Sequence, residues 1–197
     1  MAERVGVYPG SFNPPTIAHL AIAAAAREQR SLDRVVLAVS RSPINKEHVD
    51  RPLFEHRLDI LRTEVAHRRW LDVDVTDARL LVDIARGYDV LVMGADKWAQ
   101  VNDPSYYDDD EEARDAALAA LPTLAIAPRP PFDVPPEHSL IVDAAHVLVS
   151  SSDARLGTVE WMTPCARAFD RRTGAWSDPE RYEQWLRDGG AERGIRA

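Results

Sequence analysis

The stretch Gly10-Ser11-Phe12-Asn13-Pro14-Pro15-Thr16-Ile17-Ala18-His19-Leu20 constrains this chain more than any other. The apolar run Val5-Gly6-Val7-Tyr8 before it has the length and composition of a buried first strand. After it, Ile17, Leu20, Ala21, Ala24 and Ala25 recur at helical spacing in an alanine-rich segment that reaches Arg30. The pattern is a strand, a glycine- and proline-containing turn, and a helix that begins near Thr16. In an open parallel α/β sheet, ligands lie where strands end and helices begin. Backbone N–H groups at a helix N-terminus and the helix dipole favour an anion there. His19 falls in the first helical turn, within reach of the same place. A lone histidine after a strand is ordinarily incidental, but glycine, asparagine, two prolines and histidine concentrated in one turn point to a site.

The remaining chain continues the alternation. Arg34–Ser40 is almost continuously apolar, as a strand covered on both faces should be. Pro52 is expected to open a helix whose buried stripe is Phe54, Leu58, Leu61 and Val65. Residues 71–75 alternate Leu-Asp-Val-Asp-Val, which suits a strand near a sheet edge. A short helix over 80–86 with Gly87 after it, and strands over 90–93, 124–127 and 147–149, complete the pattern. The acidic stretch 102–112 reads as a solvated loop that enters a helix over 111–120. Residues 128–136 form a proline-rich connection, and 167–176 read as polar and irregular. Tyr182, Trp185 and Leu186 give one face of a final short helix, with a frayed end over 189–197. Strands alternating with helices predict an α/β fold with a doubly wound parallel sheet. The expected organisation is a single domain over 1–197, with a core over 4–160 and a C-terminal extension over 161–197.

Composition excludes several classes. At 197 residues one sizeable core is expected, and the net charge of −8 argues against a broad basic surface for nucleic acid. No run approaches a membrane span, and the N-terminus leads straight into a strand with no signal peptide pattern. Cys165 is the only cysteine, so neither an internal disulfide nor a cysteine-built zinc site is expected, and the cytoplasm is the expected compartment. His48, His56, His67, His138 and His146 show no metal-ligand spacing. Phosphate-loop, GxGxxG, HExxH and GxSxG patterns are missing.

Three further features fall at expected strand ends. Lys46 lies in the loop after the second strand, with Arg41 nearby. Gly94-Ala95-Asp96 follows the fourth strand: glycine permits close approach, the carboxylate can accept from ribose hydroxyls, and Trp98 can stack on a ring. Ser150-Ser151-Ser152-Asp153-Ala154-Arg155 places helix-capping serines one turn before a guanidinium suited to phosphate oxygens.

GSFNPPTIAH, from Gly10 to His19, resembles the GxFxPxHxGH or GxFxPxTxGH element of the nucleotidyltransferase superfamily, with Thr16 at the first-histidine position and Ala18 in place of the usual glycine. Gly94-Ala95-Asp96 resembles the GAD element of its nicotinate-mononucleotide branch, and residues 149–155 resemble its ISSTxIR element. The resemblance implies a Rossmann-like nucleotidyltransferase fold and transfer of AMP from ATP, brought in with Mg²⁺, to a small phosphomonoester, releasing pyrophosphate. It implies catalytic roles for His19, Lys46 and Arg155. ATP and its phosphates would be held by Gly10, Ser11, Phe12, Thr16, His19, Gly94, Asp96, Ser150, Ser151, Ser152 and Arg155, and the acceptor by Ser11, Lys46 and Trp98. No protein-built metal site is implied. Nucleic acid and membranes are not expected partners, while a homo-oligomer is allowed. Thr16 and Ser42-Pro43 before Lys46 are similar to the pantetheine-phosphate branch. The segment 94–98 and Ala127-Pro128-Arg129-Pro130 are similar to the nicotinate-mononucleotide branch, which is the expected acceptor class. A pantetheine-phosphate enzyme, a cytidylyltransferase using CTP and a degenerate nucleotide-binding protein remain as alternatives.

Overall fold

The computed structural model describes residues 2–41, 51–78 and 80–190. The chain runs β1 (Val5–Gly10), α1 (Ile17–Gln29), β2 (Arg34–Ser40), α2 (Phe54–Val65), β3 (Leu71–Thr76), α3 (Leu81–Ile84), β4 (Val90–Gly94) and α4 (Ala95–Asn102). A 3₁₀ turn, Pro104–Tyr107, leads to α5 (Glu111–Ala119) and then β5 (Thr123–Ala127). The remaining helices are α6 (Ala144–Val147), α7 (Ser151–Arg155), α8 (Pro164–Thr173) and α9 (Pro179–Trp185).

The five strands pair in parallel in the order β3-β2-β1-β4-β5. Alternate residues of one strand feed two cores, as the pleat requires. Val90 and Val92 of β4 join Val35, Leu37 and Val39 under α1 and α2, while Leu91 and Met93 join Val7, Ala38 and Ile126 under α3 and α4. Each fully buried side chain of this kind contributes roughly 1.5–3 kcal/mol. Burial on both faces explains why the β2 sequence is continuously apolar. β3 is an edge strand in which Asp72 and Asp74 are exposed, so its sequence alternates. The fold is a doubly wound, Rossmann-like α/β sheet.

α1 owes its helix to alanine, the residue with the best intrinsic propensity. Ala18, Ala23 and Ala26 are buried, and their small side chains let the helix lie close to the sheet. Ala18 is 3% exposed, so its methyl is packed by protein. From β1 the chain winds outward through β2 and β3, then crosses back to place β4 on the other side of β1. β1 and β4 are paired with Gly6 beside Val90, and both run toward the same sheet end. The strand order therefore reverses between the ends of β1 and β4, where a crevice opens in folds of this kind.

Several expected elements differ. Residues 147–149 are not a strand: Asp143 caps a single helical turn by accepting from the Ala145 N–H (2.8 Å), and Val149 is buried without joining the sheet. Three apolar residues carry too little periodicity to separate the two states. Pro52 does not open α2, since it precedes the N-cap Leu53. The helix expected over 80–86 shortens to Leu81–Ile84. No helix is expected from sequence directly after the fourth strand, but Gly94 is the N-cap of α4, and Asp96 and Trp98 lie on that helix.

The segment read as polar and irregular is largely the helix α8. Ala166, Phe169, Asp170 and Thr173 form its buried side, while Arg167, Arg171 and Arg172 dilute the apolar signal. Asp170 is 3% exposed, but its carboxylate accepts from the Trp176 and Ser177 N–H groups (2.7 and 3.0 Å) and from the Ser177 hydroxyl (2.7 Å). Burial of a carboxylate becomes acceptable once it is hydrogen-bonded this way. Glu64 of α2, also buried, accepts from the Cys165 N–H at the start of α8 (3.1 Å). Ile60, Phe169, Trp176 and Tyr182 then form a third core, which fastens α8 and α9 to α2. The final short helix is present as α9.

Candidate active site

Gly10 ends β1, and the chain then turns sharply. Phe12 takes a left-handed conformation (φ +44°) and is 1% exposed. Such a conformation costs a bulky residue on the order of 1–3 kcal/mol and persists where the surroundings hold it. Here the Phe12 ring folds back onto Gly10, so that a Cβ at Gly10 would lie 2.9–3.2 Å from ring carbons. The ring also meets Tyr8 edge-on (5.7 Å between centroids) and His19 (5.0 Å). An aromatic plug thus fixes both the turn and the imidazole.

His19 is held from a second side. Its Nδ1 accepts from the Thr16 N–H (2.9 Å) and lies 2.9 Å from Thr16 Oγ1. An accepting Nδ1 leaves the ring proton on Nε2 in the neutral form, which makes Nε2 the donor. Thr16 is 1% exposed and acts as the N-cap of α1.

The Ser150–Arg155 segment is distant in sequence but docks on this turn. Ser151 Oγ donates to the Pro14 carbonyl (2.8 Å), and Arg155 Nη1 donates to the Asn13 carbonyl. Arg155 Nη2 donates to Ser152 Oγ (3.2 Å), and the Ser150 hydroxyl caps α7 by accepting from the Asp153 N–H (3.0 Å). From the α2 side, Arg57 Nη1 donates to the Ser11 carbonyl (3.1 Å). Arg57 is 5% exposed, its Nε has no hydrogen-bond partner among the described residues, and burial lowers its pKa. Burial also lowers that of Arg155. Among the described residues neither guanidinium is paired with a carboxylate. The turn 10–16 therefore lies between two cations with no carboxylate partner among the described residues. In a chain of net charge −8 this is a local concentration of positive field, suited to an anion.

The end of β4 adds a carboxylate. Asp96 Oδ1 lies 2.5 Å from where a Cβ on Gly94 would be, so glycine is what lets the carboxylate sit over the strand end. Asp96 pairs with Arg129 at 3.8 Å, and Arg129 Nη2 donates to the Val149 carbonyl (3.2 Å). Arg129 thereby ties the end of β4 to the segment that carries Ser150 and Arg155. The Tyr8 phenol is buried beside this pair. Burial, with help from Asp96 and against Arg129, raises its pKa and keeps it protonated. Trp98 is half-buried on α4, with its ring edge-on to His138 (6.1 Å).

The structure thus brings Gly10, Ser11, Phe12, Thr16, His19, Ser151, Ser152 and Arg155 to one turn, with Ser150 capping the helix that carries the last three. Gly94 and Asp96 lie at the adjacent strand end, and Trp98 follows two residues after Asp96, about half a turn further along α4. Lys46, with Ser42, Pro43 and His48, lies outside the described residues, whereas Arg41 is within them and stacks over the Phe54 ring (4.9 Å). Sequence reasoning missed Tyr8, Arg57 and Trp176 as parts of the site, gave Asn13 no role beyond its place in the turn, and treated Arg129 only as part of a segment. Arg57 could have been noticed as a charge beside the apolar stripe of α2; Trp176 offered no signal. Among the described residues, no group of three or more His, Cys, Asp or Glu side chains converges on a point that could hold a metal ion.

Comparison with known proteins points the same way. The chain is 32% identical over 79 residues to a probable nicotinate-nucleotide adenylyltransferase of Gloeobacter violaceus, covering 40% of this chain and 38% of that protein. It is 40% identical over 73 residues to a phosphopantetheine adenylyltransferase of Carboxydothermus hydrogenoformans (36% and 41% of the two chains). It is 45% identical over 92 residues to one of Symbiobacterium thermophilum (45% and 52%). The chain therefore spans about two fifths to one half of the length of these relatives. The sequence model of the cytidylyltransferase-like family matches residues 7–156, a span that takes in the sheet, the turn after β1 and Arg155. On that match and this geometry, the chain belongs to the cytidylyltransferase-like family of nucleotidyltransferases.

Proposed function

We propose that this protein is an adenylyltransferase that moves AMP from ATP to a small phosphomonoester. The observation that carries the reading is the turn 10–16, bonded to Arg155 on one side and Arg57 on the other at the point where strand order reverses. An oxygen of the acceptor phosphate forms a bond to the α-phosphorus of ATP as the bond to the β-phosphate bridging oxygen breaks. The electron pair leaves with pyrophosphate. The acceptor is already largely ionised at neutral pH, since such phosphates have a second pKa of about 6. The reaction therefore calls for no protein nucleophile or strong base, only positioning and charge stabilisation.

In this reading Nε2 of His19 donates to phosphate oxygens as charge shifts toward the leaving group, and Thr16 and Phe12 hold the ring. Arg155 grips the β- or γ-phosphate, with Ser150, Ser151 and Ser152 beside it, while Gly10 and Ser11 approach through the backbone. Asp96 accepts from the ribose over Gly94. Lys46 would contact phosphates of both substrates. Mg²⁺ enters as part of the substrate, MgATP, coordinated mainly by phosphate oxygens and water.

For the acceptor we favour nicotinate or nicotinamide mononucleotide: Trp98 follows the end of β4 on α4, and a flat ring would gain more from an aromatic wall there than a flexible pantetheine arm. 4′-Phosphopantetheine is the second reading, favoured by Thr16 and by relatives that carry that name. Pyrophosphate release should be followed with ATP or CTP against nicotinate mononucleotide, nicotinamide mononucleotide and 4′-phosphopantetheine. Turnover with ATP and a mononucleotide is the expected result. Turnover of 4′-phosphopantetheine alone would move the acceptor and leave the reaction class intact. Tight ATP binding with no pyrophosphate from any acceptor would make the protein a nucleotide-binding member without catalysis.

A further inference from the structure

Asn13 is the point where the C-terminal helices reach the candidate site. Its Oδ1 accepts from the Trp176 Nε1–H (2.6 Å), a bond that spans 163 positions of sequence. Its amide faces the Arg51 carbonyl at 3.5 Å, and its backbone carbonyl is the acceptor for Arg155 Nη1. Asn13 is 6% and Trp176 5% exposed, so solvent does not compete for the bond between them. Trp176 is itself fixed: its N–H is held by Asp170, and its ring meets Phe169 edge-on at 6.1 Å. Arg51 is paired with Glu183 of α9 at 2.5 Å, which gives the same helices a second grip on the neighbouring strand of chain.

We infer that Trp176 is a positioning residue for the anion site: its indole N–H fixes Asn13, and the Asn13 carbonyl sets where the Arg155 guanidinium lies. α8 and α9 are then a working part of the site and not only a cover for α2. The phosphate-binding half of this inference rests on the proposed function; the link from Trp176 to Arg155 does not. Phenylalanine at 176 keeps a ring against Phe169 but removes the donor, leaving Asn13 Oδ1 buried and unpaired. A buried acceptor without a partner shifts or rotates to find one, and the turn moves with it.

Two measurements on the full chain test this. In ligand-free protein, the ¹⁵N signals of the Arg155 side chain, assigned with Arg155→Ala, should show restricted Nη rotation in the wild type and lose it in Trp176→Phe. In ATP titrations, Trp176→Phe should raise Kd by about tenfold, the size expected if a displaced Arg155 loses one hydrogen bond to a phosphate oxygen. In an Arg155→Ala background the same change should raise it less than twofold. If Trp176→Phe does not fold, Asn13→Ala carries the same expectations from the acceptor side. Unchanged Arg155 signals, or equal losses of ATP affinity in both backgrounds, overturn the inference. A wild-type protein that binds neither ATP nor pyrophosphate refutes the nucleotide reading, and the Arg155 signals still decide the link.

Discussion

Gly94→Ala separates function from stability in a way that the geometry makes quantitative. A Cβ at this position meets Asp96 Oδ1 at 2.5 Å, about 1 Å inside ordinary contact, and the next atom of that side chain at 3.7 Å. Gly94 has φ −83°, which alanine adopts freely, so the backbone is not strained. The overlap is relieved by rotating the Asp96 carboxylate away. What folding loses is the pair with Arg129, 3.8 Å long and with the Asp96 side chain 44% exposed. Pairs of this exposure contribute about 0.2–1 kcal/mol. What ATP binding loses, if Asp96 accepts from the ribose, is a charge-assisted hydrogen bond of about 1.5–3 kcal/mol, or roughly 10- to 100-fold in affinity. Calorimetric ATP titration beside a thermal melt reads both numbers. The expected result is a melting temperature within a few degrees of wild type and a Kd raised by one to two orders of magnitude. In an Asp96→Ala background the methyl should cost ATP affinity almost nothing. Unaltered affinity in the single variant, or an equal loss in the Asp96→Ala background, would refute the placement of Asp96 over the nucleotide.

Two other perturbations follow from named contacts. His19→Gln should keep the capping interaction, since glutamine at the third helical position can accept from the Thr16 N–H, and stability should change little. Its kcat should fall on the order of 10²–10³, as for loss of one donor to developing charge, and pyrophosphate-release kinetics unchanged from wild type would remove His19 from the chemistry. The second perturbation is acid. His56 is 4% exposed, its Nδ1 lies 2.6 Å from the Tyr182 hydroxyl, and burial lowers its pKa below the ordinary 6.5. The unfolded chain then takes up the proton first, so this contribution is intact above pH 6.5 and is lost as pH falls from there toward the lowered folded-state value. Urea midpoints measured from pH 8 to pH 5 should fall less steeply for His56→Gln than for wild type, and parallel slopes would contradict this account.

Sequence alone determined the five strands of the sheet but not their order, and it added a sixth over 147–149 that the structure does not have. The apolar runs at 5–8, 34–40, 90–93 and 124–127 are legible because a strand buried on both faces must be apolar along its length, and the alternation over 71–75 marks an edge for the converse reason. The turn 10–16 and the serines before Arg155 were legible too, since caps and turns depend on residues a few positions apart. Tertiary structure decided what had no local cause. The burial of Asp170 and Thr173 hid α8 from any hydrophobic count, because those polar groups are tolerable only once Trp176 and Ser177, and the backbone at Phe169 and Ala175, bond to them. Arg57 reads as an ordinary helical arginine until folding places its guanidinium under the Ser11 carbonyl. Trp176 and Asn13 meet only because α8 packs on α2, and no local pattern encodes a hydrogen bond between residues so far apart. The residues at the site could be read from short-range chemistry, whereas their support comes from long-range contacts that form only when the core closes.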